Sequence, residues 1–211
     1  MSAPGTAPRF LLIVRERVRA DRYEAYGRNE IELAAASAAF DCPHPYLALV
    51  SVAAPTDVWW LNAFASEEER DGIGAAYARN EALMTALTPL GERKEGFREA
   101  LTTTMTRYRA DLSDGRALEL SGARFLVVSS DRYEGTPEGA VFQASDGRRS
   151  EFAPAANRAE AGSLAVRMGG GATILAVQPQ WSFPARDWIE ADPELWSASP
   201  AARLRGSKIG V

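Results

Sequence analysis

The run Trp59-Trp60-Leu61-Asn62 carries the most chemistry in the chain. Side chains alternate on an extended backbone, so Val58, Trp60, Asn62 and Phe64 share one face while Trp59, Leu61 and Ala63 share the other. An Asn amide beside an aromatic ring can donate to an oxyanion forming on a bound molecule. The plainer alternative has both Trp residues filling the core or a sheet interface, with Asn62 closing a turn or a strand end. His44 is the single histidine, so a Ser-His-Asp triad or a multi-histidine zinc site either depends on it or is absent. Lying between Pro43 and Pro45, it is a candidate general base or axial haem ligand, and the stronger reading is an exposed loop residue.

Tyr77, Arg79 and Arg93 are candidates to face a cavity, the arginines holding an anionic group. Their simpler role is a solvated helix surface with ion pairs one turn apart. Cys42 has no basic neighbour in sequence and reads as an inert thiol. Gly169-Gly170-Gly171 lacks the Lys-Ser or Lys-Thr that completes a phosphate loop, so it reads as a hairpin turn. Glu67, Glu68 and Glu69 follow Ser66 as a capping box and acidic first turn, which accounts for them without a metal.

Composition narrows the classes. The net charge is −4, and 24 basic residues are scattered among 28 acidic ones without a positive stripe, which argues against nucleic acid. No apolar run approaches the roughly 20 residues that span a bilayer, and Met1 to Pro8 does not resemble a signal peptide. A lone cysteine forms no internal disulfide and fits the cytoplasm. An apolar share of 46% over 211 residues is ample for a packed core.

The elements that must position these residues follow from pattern. Phe10 to Val18 is a strand with apolar residues on both faces at its start, as in a sheet covered on both sides. Asp21 can cap a helix to about Ala39, and Tyr46–Val52 with Val58–Ala65 form a hairpin. A helix starts at Ser66, is interrupted at Gly72 and Gly74, and restarts over Asn80–Leu87 and Pro89–Phe97; the Thr-rich stretch ending at Arg107-Tyr108-Arg109 is a strand. The order strand, helix, strand, strand, helix, strand is the ferredoxin-like split βαβ arrangement.

An approximate echo suggests that this unit occurs twice. Phe10 to Val14 leads to Asp21-Arg22-Tyr23-Glu24, as Phe125 to Val128 leads to Asp131-Arg132-Tyr133-Glu134, and Leu47-Ala48-Leu49 is echoed by Leu164-Ala165-Val166. The second half is expected to hold a strand at Arg124–Ser130, a hairpin of Ala140–Ala144 with Arg149–Ala153 in place of a long first helix, a second hairpin of Ser163–Met168 with Thr173–Gln178, and a helix near Arg186–Trp196. Ala110–Gly122, with Asp114-Gly115, reads as a linker, and Ser197–Val211 as a loose tail.

Across Asp57 to Glu69 and Arg107 to Ser113 the chain resembles an uncharacterised branch of the dimeric α/β-barrel superfamily. The resemblance implies an α+β fold of tandem ferredoxin-like units with antiparallel sheets, 9–113 and a degenerate 121–198, closing a barrel within the chain or with a second copy. It also implies a ligand cavity. The superfamily spans cofactor-independent monooxygenases, haem-binding and haem-degrading proteins, isomerase-like enzymes and stress-responsive proteins, so membership does not fix chemistry. A haem-degrading member carries its axial histidine on the helix after the third strand, and Ser66–Gly96 has none. No cofactor is therefore implied. The expected function is binding of a small hydrophobic or aromatic molecule, with Asn62, Trp60 and His44 as catalytic candidates and Trp59, Tyr77, Arg79 and Arg93 as ligand contacts. The alternatives are a cofactor-independent monooxygenase acting on a phenol, and a non-catalytic interaction module anchored by the Trp pair.

Overall fold

Residues 7–113, 115–130, 136–169 and 171–207 are described by a computed structural model. Eight antiparallel strands, β1 (Phe10–Val18), β2 (Leu47–Ser51), β3 (Asp57–Phe64), β4 (Arg98–Tyr108), β5 (Phe125–Ser130), β6 (Ala140–Ala144), β7 (Arg149–Ala155) and β8 (Thr173–Val177), close one barrel in the order β1-β3-β2-β8-β5-β7-β6-β4. The first half runs β4-β1-β3-β2, the ferredoxin-like order. The second runs β8-β5-β7-β6, the same order with β5 to β8 standing for β1 to β4. The halves are joined by short seams, β2 with β8 over Leu49–Ser51 and β4 with β6 over Thr106–Tyr108.

Helices α1 (Tyr23–Ala39), α2 (Glu67–Ala78) and α3 (Glu81–Glu95) belong to the first half. Among the described residues of the second half, α4 (Arg158–Met168), between β7 and β8, is their counterpart. Equivalent helices start alike. Ser66 Oγ accepts from Glu69 N and Glu69 Oε2 from Ala65 N, while Asn157 Oδ1 accepts from Glu160 N and Glu160 Oε2 from Ala156 N. Each pair satisfies backbone donors that the helix itself leaves open.

The barrel interior is packed with apolar side chains. Leu11 and Ile13 of β1, Leu47 and Leu49 of β2, Trp59 and Leu61 of β3 meet Leu126, Val128, Phe142, Phe152, Leu175 and Val177 from the second half. One end is plugged by Leu118, Leu120, Trp188 and Trp196, the last two with rings 6.2 Å apart on α5 (Arg186–Ala191) and α6 (Pro193–Trp196).

Several expectations are corrected. Residues 158–168 form α4 and not a hairpin strand at Ser163–Met168: a short apolar run fits either period, and the Asn157 cap decides for the helix. The stretch 110–122 is no free linker, since Leu118 and Leu120 stop the barrel end. The tail is not loose up to residue 207, because α7 (Pro200–Ser207) lies on α1 with Ala201 buried beside Ala34 and Ala38. Helix α2 runs unbroken through Gly72 and Gly74, and α3 through Pro89; the caps from Ser66 and Asn80 offset their weak propensity. Asp21 does not cap α1 but sits in a short 3-10 turn paired with Arg19 and Arg22. Asp131–Glu134 of the echo, Asp114 and Gly170 lie outside the described residues.

Candidate ligand-binding face

Strand register lays out the helix-facing side of the first sheet as rows. Phe64, Phe10 and Arg107 form one; Asn62, Leu12 and Met105 the next; then Trp60, Val14 and Thr103; then Val58, Glu16 and Leu101. Burial falls along each row from β3 to β4. Helix α1 covers the inner part, packing Tyr23, Tyr26 and Ile31 with Val18, Val58 and Trp60. The outer strip stays open: Leu12, Val14 and Asn62 are half-buried, while Leu101 and Met105 are 45% and 37% exposed. Among the described residues the Asn62 amide has no hydrogen-bond partner, so the strip ends on one free polar group.

A buried charge cluster bounds the strip at one end. Glu16 Oε2 accepts from the Tyr26 hydroxyl at 2.5 Å and from Trp60 Nε1 at 3.2 Å, and Oε1 accepts from Arg98 Nη1 at 3.1 Å. Lys94 Nζ, on the last turn of α3, lies 3.1 Å from Glu16 Oε2 and 3.1 Å from Glu30 Oε1 of α1. Its approach to Glu30 lacks hydrogen-bond alignment, leaving that oxygen electrostatically paired only. The ammonium also sits 4.2 Å from the Trp60 ring centroid. Burial works to raise the Glu16 pKa, but Lys94 and the converging donors hold it below the usual carboxylate value. Glu30 is pushed up to about 7 by burial, which outweighs the opposing Lys94 charge, and the Glu16 charge adds to the rise. Burial and the two carboxylates push the Tyr26 phenol well above its ordinary value.

The other end is aromatic and basic. Arg70 and Arg107 lie 4.7 and 5.6 Å from the Phe10 ring centroid. His44 is 2% exposed, stacks 4.4 Å from Phe64, and brings Nδ1 to 3.7 Å from Glu69 Oε1. The reading of His44 as an exposed loop residue is thereby corrected: the prolines fold the loop inward over Phe64. Burial lowers its pKa and favours the neutral ring, and the Glu69 carboxylate partly opposes this.

The sequence candidates do not converge. Trp60 and Asn62 share the face, but the Trp60 N–H is committed to Glu16. Trp59 points into the barrel core. Tyr77 donates to or accepts from Cys42 Sγ at 3.0 Å beneath α1, Arg79 is exposed, and Arg93 pairs with Glu32 at 2.9 Å on the outer surface. Neither Trp is an exposed interface anchor, each being under a tenth exposed. Sequence reasoning missed Glu16, Tyr26, Glu30 and Lys94. Two signals were available: Glu16 occupies a position in line with Leu12, Val14 and Val18, and Lys94 is one of two lysines in an arginine-rich chain.

No family model matches the chain, and no curated protein does. Solved structures similar to it include a candidate monooxygenase from Fusobacterium nucleatum, 10% identical over 82% of this chain and 92% of that one, with a TM-score of 0.49. An anthrone oxidase-like protein is 10% identical over 81% and 92%, with a TM-score of 0.48. A candidate monooxygenase from Lactobacillus acidophilus is 9% identical over 89% and 88%, with a TM-score of 0.44. The strand order itself defines the architecture: this is an α+β chain in which two ferredoxin-like strand sets close one antiparallel barrel. Among the described residues no helix is long and apolar enough to cross a membrane.

Proposed function

We propose that the protein binds a small hydrophobic or aromatic molecule on the helix-facing strip of β1 and β4, with Asn62 donating to an oxygen of the ligand. The observation that carries this is the half-buried Leu12, Val14 and Asn62 surface, which ends on an unpartnered amide. An apolar surface with few polar groups is the general composition of a small-molecule site. Arg70 and Arg107 at one end of the strip favour a ligand with an acidic or phenolic oxygen. The test is thermal shift with a panel of phenols and hydroxyquinones at saturating concentration. A ligand that stabilises the parent should bind Asn62→Leu about fivefold more weakly, the equivalent of one hydrogen bond of about 1 kcal/mol. No stabilisation by any member of the panel would count against the reading.

Oxygenation of a phenol in the same place is favoured by one feature, the free amide donor lying beside the Trp60 ring on one sheet face. In that chemistry the ionised ligand itself reduces dioxygen, and the Asn62 N–H holds the phenolate oxygen. Trp60, its N–H given to Glu16, contributes ring surface only. Dioxygen consumption with a bound phenol, lost in Asn62→Leu, separates this reading from simple binding.

A further inference from the structure

We propose that the end of the barrel opposite Trp188 and Trp196 is a second binding site, for a small planar carboxylate held by the indole N–H of Trp59 and the unoccupied edge of the Arg15 guanidinium. Four observations meet there. Trp59 is 6% exposed, and its Nε1 is buried without a hydrogen-bond partner. A buried donor left unpaired costs about 1–3 kcal/mol, so such a group calls for an acceptor that the chain itself does not provide.

Arg15 lies over the Trp59 ring, 4.9 Å from guanidinium carbon to centroid. Its Nε and Nη2 are bound to Asp57 Oδ1 and Oδ2 at 2.8 and 2.9 Å, which fixes the group and leaves Nη1 unused. A guanidinium locked along one edge presents the other to a planar anion without further loss of freedom. Among the described strand residues whose side chains face inward at this end, Arg15 and Arg17 of β1 stand against Asp57 as the one acidic residue.

The two barrel ends differ in kind. One is stopped by Leu118, Leu120, Trp188 and Trp196. At the other, inner-facing positions are polar: Thr102 opposite Arg15, Thr173 opposite Val128, and Ser150 opposite Ser130. The wall is also open beside Thr102, because β4 meets β6 only from Thr106 to Tyr108. A planar carboxylate entering there lies on the Thr102 side of the opening with its oxygens toward Arg15 and Trp59.

Benzoate is the probe, followed by the indole N–H resonances of protein labelled with 15N-tryptophan, the chain having five Trp residues. Benzoate should shift the Trp59 resonance, identified by its absence in Trp59→Phe, and leave Trp60 in place. Calorimetry should show one site, weakened about tenfold in Trp59→Phe, the change expected for one hydrogen bond to a charged acceptor. The variant Arg186→Ala should bind benzoate as the parent does, because Arg186 is exposed on α5 at the opposite end of the barrel. An unmoved Trp59 resonance would overturn the proposal, leaving a water as its acceptor. So would parent-like affinity in Trp59→Phe, or an equal loss of binding in Arg186→Ala. If Trp59→Phe fails to fold, Arg15→Lys replaces it: weaker binding supports the site and parent-like binding overturns it.

Discussion

Trp59 and Trp60, neighbours in the chain, lie on opposite sides of one sheet. Trp59 stands in the barrel core with its N–H unpaired, and Trp60 lies beneath α1 with its N–H given to Glu16 at 3.2 Å. The two Phe substitutions should therefore differ although the residue types are the same. Trp60→Phe removes a donor to a charged, buried acceptor, worth about 1.5–3 kcal/mol, whereas Trp59→Phe removes an N–H that bonds to nothing. Urea denaturation should show Trp60→Phe to be the more destabilised by about 1.5 kcal/mol.

Lys94 joins α3 to β1 and α1 by standing between two carboxylates that are 2% and 1% exposed. Lys94→Met keeps the length of the stem and deletes the charge. Breaking a buried ion pair from one side leaves an uncompensated charge and costs about 3–5 kcal/mol. Denaturant titration at neutral pH should show a loss of that order. A loss under about 1 kcal/mol would mean that water reaches the carboxylates.

Glu30 sets a pH dependence whose sign is opposite to the usual acidic one. Its carboxyl is pushed up to about 7 in the folded protein, against 4.5 for an unperturbed Glu. Between those values the folded state holds a proton that the unfolded chain has released, so this group's contribution to stability declines as pH rises from about 4.5 to 7. Glu16, lowered in the fold, contributes stability that is lost only as pH falls below the ordinary carboxylate range. Glu30→Gln should flatten the decline between pH 5 and 7 in thermal melts. An unchanged slope would assign it elsewhere.

Gly139 is fixed by a close approach. A Cβ there would lie 2.2 Å from the Phe152 carbonyl oxygen, and both Glu138 N and Gly139 N donate to Glu151 Oε1. The obstacle is backbone of the paired strand, which cannot rotate away. Gly139→Ala should destabilise by about 1–3 kcal/mol, whereas Gly162→Ala, with open space around it on α4, should be neutral or slightly stabilising. Melting temperatures of the two variants compare them directly.

The sequence by itself determined the first ferredoxin-like unit and the alternation of β3. Alternating side chains, the Ser66 cap and the apolar first strand are local or short-period signals, and each places one element. The second unit was only half legible. Leu164-Ala165-Val166 mimics a strand, and the signal that identifies α4, Asn157 followed by Glu160, matches Ser66 with Glu69 in type and spacing but not in residue identity. Closure of the barrel rests on two seams, Leu49–Ser51 with β8 and Thr106–Tyr108 with β6, which join residues far apart in the chain and leave no periodic trace. The same holds for the candidate sites. Asn62 was visible as a residue, but whether its amide is free depends on every element around it. Glu16, Glu30 and Lys94 come from a strand and two helices and acquire their chemistry only by being buried together, because it is the loss of water that makes a lysine and two glutamates into a coupled unit. Trp59 and Trp60 were distinguishable by parity; which of the two faces became the barrel interior was decided by the tertiary structure, when the second half supplied the other wall.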